Sequence, residues 1–126
     1  MPIIGLGTDI VEIERIPLHN TKTGERLAQR VLTPTELNIY NRHSQPQRYL
    51  AKRFAAKEAA AKALGTGIGR GVSFQHIHVS NNEDGAPKLK FTDGALEKFE
   101  ALSGKYLHLS IADEKRYATA TVILES

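Results

Sequence analysis

Three features of the sequence predict an α+β fold, an antiparallel sheet with a long alanine-rich helix packed on it. They are an apolar strand near the start, seven alanines between positions 51 and 63, and late strands that join as hairpins. Residues 3–13 alternate as a strand, with Ile4, Leu6, Thr8 and Ile10 on one face and Gly5, Gly7, Asp9, Val11 and Ile13 on the other. The two glycines leave room beside Asp9 for another backbone or a ligand. Helical periodicity follows over residues 24–32, turning Leu27, Val31 and Leu32 inward and Arg26 and Arg30 onto another face. Thr33-Pro34-Thr35-Glu36 reads as a capping box with proline at the first helical position, opening a short helix to about residue 40. Pro46 opens the main helix, residues 47–64, which stops at Gly65. After the glycine-rich run GTGIGRG, strands are predicted at 72–74, 76–80 and 87–91, the last two joined through an Asp-Gly turn. A helix over 92–102, capped at Thr92 or Asp93, and a closing hairpin of 105–112 with 117–125 complete the chain.

The length of 126 residues suits one domain. Isoleucine, leucine, valine and phenylalanine together number 32, enough for a core. No apolar run approaches the roughly 18 residues of a membrane span, no basic leader precedes the first strand, and there is no cysteine. These features exclude a spanning helix, a disulfide scaffold, a thiolate metal site and a cysteine nucleophile. The expectation is a small soluble cytoplasmic domain, with no membrane insertion.

The net charge of +3 is unevenly spread. Residues 15–62 hold ten basic side chains against Glu25, Glu36 and Glu58, whereas residues 63–126 hold seven basic and eight acidic ones. Such asymmetry predicts an anionic partner for the first half, whether nucleic acid, phosphorylated cofactor or acidic protein; otherwise it is a solvated basic face.

Two acids stand out. On the main helix, Glu58 falls in a stripe with Ala51, Phe54, Ala55 and Ala61, where an unpaired carboxylate is costly. A helix pair with Lys62, a metal ion or protonation would each relieve it. Asp9 interrupts an otherwise apolar strand and wants a partner too. Together they offer hard oxygens to one divalent ion, and magnesium takes one or two protein carboxylates plus waters and substrate phosphates. Lys62 shares the Glu58 face, whereas Lys57 and Arg53 turn about 100° and 140° from it. Magnesium with a lysine alongside suits a pyrophosphate. GTGIGRG follows a helix rather than joining a strand to one, so it is no Walker motif; it reads as an anion nest or as a flexible turn.

His108 and Ser110 lie parallel on one strand face rather than facing each other, which argues against a serine–histidine nucleophile pair and favours His108 as a phosphate contact or a core histidine. His76 and His78 have no third ligand nearby, against a zinc site. The main alternative to an enzyme is a small basic nucleic-acid-binding module. No stacking pattern, RNP-like sequence or helix-turn-helix spacing supports it.

The segments GTDIVEIERI, FAAKEAAAKALGTGIG, GAPKL and HLSIADEKRYATATVILE occur in that order. With them the chain resembles the short, homotrimeric class of 4′-phosphopantetheinyl transferases, from about residue 4 to residue 125. The resemblance implies that family's fold and magnesium-dependent transfer of the 4′-phosphopantetheine arm of coenzyme A to a serine of apo acyl carrier protein. Adenosine 3′,5′-bisphosphate is released, in the service of fatty-acid synthesis. It further implies that Asp9 and Glu58 hold magnesium and that Lys62 lies by the phosphate under attack. Glu58, directly or through water, becomes the candidate base for the serine proton. Arg53, Lys62, Gly65, Gly67, Pro87 and His108 would bind coenzyme A between subunits of a homotrimer. Arg15, Arg26, Leu27, Arg30 and Phe54 would dock the acidic carrier, and nucleic acid is not a partner. The run HLSIADEK departs from the family variant with a threonine–histidine pair after the isoleucine, so the resemblance assigns no role to Asp113 and Glu114.

Overall fold

A computed structural model describes residues 2–126. Strand β1 (Ile3–Glu12) leads through a 3-10 turn (Ile13–Arg15) to helices α1 (Lys22–Val31), α2 (Pro34–Tyr40) and α3 (Pro46–Ala63). Strands β2 (Ile77–Asn81) and β3 (Pro87–Phe91) then form a hairpin. Helix α4 (Asp93–Ala101) precedes strands β4 (Tyr106–Asp113) and β5 (Tyr117–Glu125). The main sheet is antiparallel in the order β1-β5-β4, as the α+β expectation requires, and β2-β3 stands apart as a two-stranded sheet. In the central strand, Ala120 faces Asp9 of β1 and Ile111 of β4.

Helix α3 lies across the inner face of this sheet. All seven of its alanines are buried, which explains why the segment has no clear amphipathic pattern: a helix covered on all sides needs none. The approach to β1 is as close as backbones allow. A Cβ on Gly5 would fall on the carbonyl oxygen of Ala63, and one on Gly7 on that of Ala59. Glycine is required at both positions for the strand to touch the helix. Ala120, Val122 and Leu124 of β5, with the partly buried Leu107, Leu109 and Ile111 of β4, fill the core beneath α3. A second cluster of Val31, Leu32, Tyr49, Leu50 and Phe74 holds α1 and α2 against its other side.

Local chemistry sets the boundaries. Thr21 Oγ1 accepts the Gly24 N–H at 3.1 Å, so α1 begins at Lys22, two residues before the expected start. The capping box forms as read: Thr33 Oγ1 accepts the Glu36 N–H at 3.3 Å and Glu36 Oε1 accepts the Thr33 N–H at 2.9 Å. The strand expected over 72–74 is absent. Val72 makes an isolated bridge to Gly69, and Phe74–His76 is a 3-10 turn whose donors are taken by Ser73 Oγ and His76 Nδ1. Thr92 stands at the N-cap of α4 without capping it, because its hydroxyl bonds His78 Nε2 at 3.0 Å instead.

Among the described residues, nothing covers the outer face of the main sheet. Ile3, Leu6, Tyr106 and Tyr117 are exposed there, and Ile10 is 66% exposed. Among the described residues, no helix is long and apolar enough to cross a membrane.

Candidate active site

The close approach of β1 to α3 positions the two acids singled out in the sequence. Asp9 follows Gly7 on the same face of β1, so it meets α3 within the turn that carries Glu58 and Lys62. Its side chain is 16% exposed, and Oδ1 accepts a hydrogen bond from Lys62 Nζ at 3.1 Å. The same ammonium donates to the Thr8 carbonyl at 3.1 Å, leaving it 51% exposed and one donor free. The helix pair between Glu58 and Lys62, considered from spacing alone, does not form: Lys62 reaches across to the strand. Among the described residues, the Glu58 carboxylate has neither a hydrogen bond nor an ion pair. Burial pushes its pKa up and the charge of Asp9 pushes it further, while Lys62 and Arg30 pull it down. Two adjacent carboxylates, one unpaired and half-buried, match the donor set that magnesium takes from a protein.

Lys57, next in the chain to Glu58, is instead enclosed. Its ammonium donates to Glu36 Oε1 at 2.6 Å, the Val31 carbonyl at 2.7 Å and the Phe74 carbonyl at 3.1 Å. Glu36 Oε2 accepts the Val79 N–H at 2.8 Å. Reading Glu36 only as a helix cap missed this bond between α2, α3 and β2. The sequence offers only a faint signal: Glu36 is one of three acids among the ten basic side chains of residues 15–62.

Arg53 and Pro87 line a cavity of about 490 Å³ between the first turns of α3, the β2-β3 hairpin and the end of β4. Arg53 is buried. It stacks over Tyr49 at 4.7 Å, donates from Nη2 to Asn81 Oδ1 at 2.7 Å, and has no partner at Nε. Arg48, Lys52 and Asp113 share this lining, and the sequence reading assigned none of them to a site. Gly65 and Gly67 adopt positive φ beyond the end of α3, with open space around them. The first part of the glycine-rich run is not free to act as an anion nest: the N–H groups of Gly65, Thr66 and Gly67 bond to the carbonyls of Lys62 and Ala61 and so cap the helix. His108 lies on the outer face of the sheet, paired with Glu125 at 2.5 Å, and does not line the Arg53 cavity.

Arg15, Leu27 and Phe54 line a second cavity of about 480 Å³ with Ile10, Val11 and Tyr117, between α1 and the sheet edge. Arg26 and Arg30 are exposed on the neighbouring face of α1, and Arg30 sits 5.6 Å over the Phe74 ring. A groove with an apolar floor and an arginine rim suits an acidic protein helix, and nothing in it supports the nucleic-acid alternative.

Comparison with known proteins places the chain as a whole in a family. Over its full length the chain is 71% identical to the holo-[acyl-carrier-protein] synthase of Shewanella baltica strain OS155, covering 99% of that protein. The crystal structure of the Neisseria meningitidis holo-[acyl-carrier-protein] synthase superimposes with a TM-score of 0.90 at 42% identity, over 99% of this chain and 100% of that one. The Bacillus anthracis synthase in complex with CoA (3′,5′-ADP) gives 0.81 at 40% identity, over 98% and 97%. Residues 5–122 match the family model described as the 4′-phosphopantetheinyl transferase superfamily, and the chain is an enzyme that belongs to it.

Proposed function

We propose that residues 1–126 form one domain that transfers the 4′-phosphopantetheine group of coenzyme A to a serine of apo acyl carrier protein. The observation that carries this reading is the half-buried, unpaired Glu58 beside the Asp9–Lys62 pair, in a family that performs this transfer. The serine oxygen attacks the β-phosphorus of coenzyme A in line. The bond from that phosphorus to the oxygen bridging the two phosphates breaks, and adenosine 3′,5′-bisphosphate leaves. Asp9 and Glu58 would hold Mg²⁺, which when bound supplies charge neutralisation at the phosphoryl oxygens. Lys62, with one donor free, would neutralise charge on the phosphate under attack. Glu58 is also the candidate to take the serine proton, through a water rather than directly, because a carboxylate that holds a metal is a poor base.

The nucleotide end of coenzyme A fits the cavity lined by Arg53 and Pro87; Gly65 and Gly67 do not line that cavity and offer open surface beyond the other end of α3. His108 reaches such a ligand only from another subunit, because it lies on the outer sheet face. That face also exposes Leu6 and Ile10, which favours a homotrimer with active sites between subunits. The carrier docks on Arg15, Arg26 and Arg30 around Leu27 and Phe54. The working place is the cytoplasm, where carrier and coenzyme A serve fatty-acid synthesis.

The direct test is incubation with apo carrier, coenzyme A and magnesium, followed by intact mass. A gain of one phosphopantetheine group that disappears on chelation is expected. A carrier left unmodified, when a known synthase modifies it in parallel, overturns the proposal.

A further inference from the structure

The cavity that holds Arg53 is lined by more cations than are free to meet a ligand, because an internal carboxylate occupies two of them. Three cations of α3 line it, Arg48, Lys52 and Arg53, together with one acid, Asp113, from the end of β4. Asp113 Oδ2 accepts from Arg48 Nη1 at 2.8 Å, and Oδ1 faces Lys52 Nζ at 3.4 Å. Arg48 is further tied to the β4-β5 turn, donating to the Glu114 carbonyl at 2.7 Å and the Lys115 carbonyl at 3.0 Å. Arg48 is therefore a strut. Lys52 is held by one longer contact, and Arg53 keeps an unpartnered Nε. The Arg48 guanidinium hydrogen bond and the Lys52 charge hold the Asp113 carboxyl below its ordinary range.

We infer that Asp113 is a specificity-determining residue that withholds Lys52 and Arg48 from the nucleotide, so that Arg53 alone reads its phosphate and the bisphosphate product leaves readily. The inference rests on the proposed binding of coenzyme A in this cavity. Substrate and product share the nucleotide end, so each extra cation that grips it strengthens product inhibition along with substrate binding. An internal carboxylate that occupies those cations lowers both affinities and damps their dependence on salt.

Isothermal titration of the assembled enzyme with adenosine 3′,5′-bisphosphate tests this. D113N should bind the product about five to ten times more tightly than wild type, with steeper loss of affinity as salt rises. Its kcat should fall together with its KM for coenzyme A. The double variant D113N/K52Q should return towards wild-type affinity, because the freed ammonium is the cause. A purely structural Asp113 would lower the melting temperature without tightening the product. Unchanged or weaker product binding in folded D113N overturns the inference. Should D113N fail to fold, K52Q alone decides. A loss of less than about twofold supports a withheld Lys52, and a loss of tenfold or more means Lys52 already grips the ligand and refutes it. If wild type binds neither coenzyme A nor the bisphosphate, the assignment of the cavity itself fails, which is a separate result.

Discussion

Lys57 and Glu58 are consecutive on α3, yet their surroundings are opposite. Lys57 is 0% exposed, and its three donors meet three acceptors from α1, α2 and the turn before β2. Glu58 is half-buried and unpaired, with another acid as its neighbour. A closed set of partners fixes the rotation of α3 about its axis, and that rotation leaves Glu58 where the charge of Asp9 is felt. The completed pair is structure. The incomplete one waits for something from solution, because evolution tolerates a buried carboxylate without a partner where function supplies one.

Breaking the open set should have the largest effect. E58Q and D9N should each lower magnesium-dependent transfer by at least about 10³-fold while circular dichroism shows the fold intact; retained turnover removes that residue from the site. Breaking the closed set should act on stability. K57M leaves Glu36 buried without its cation, at a cost of about 3–5 kcal/mol in urea unfolding. The double variant E36Q/K57M, with no uncompensated charge, should recover part of that loss. If K57M is as stable as wild type yet inactive, the division between the two residues is wrong.

The sequence made one side of this comparison legible and hid the other. Asp9 and Glu58 were found because a charge in an apolar pattern is visible in one dimension. Their meeting was foreshadowed by Gly5 and Gly7, whose missing side chains let the strand touch the helix. Lys57 was hidden, since a lysine in an alanine-rich helix looks solvated until the helix proves to be covered on every side. Asp113 was hidden for another reason: it lies 65 residues from Arg48, and nothing local marks the pair. The strand expected at 72–74 failed because Ser73 and His76 satisfy backbone donors that a strand would have paired.

The rim of the carrier groove tests whether openness marks function beyond Glu58. R26E and R30E reverse exposed charges on α1, so each should raise the KM for apo carrier by roughly tenfold and leave the KM for coenzyme A unchanged. Equal loss of both would merge the two surfaces into one.

The smallest effect is the most specific. The folded chain holds the Glu58 pKa above its ordinary value, so between the two values the native state binds more protons than the unfolded state. Stability therefore falls as pH rises through that window, and above it the ionised carboxylate continues to burden the native state. Glutamine cannot ionise. E58Q should then melt above wild type at pH 7.5 without magnesium, although it no longer transfers. The gain should fade below about pH 4, where the wild-type carboxyl is neutral in both states. It should also shrink when magnesium is added, because a cation bound only by the native wild type stabilises it. A lower melting temperature for E58Q at pH 7.5 would mean that Glu58 already has a favourable partner. The contrast with Lys57 would then fail at the one residue on which it was built.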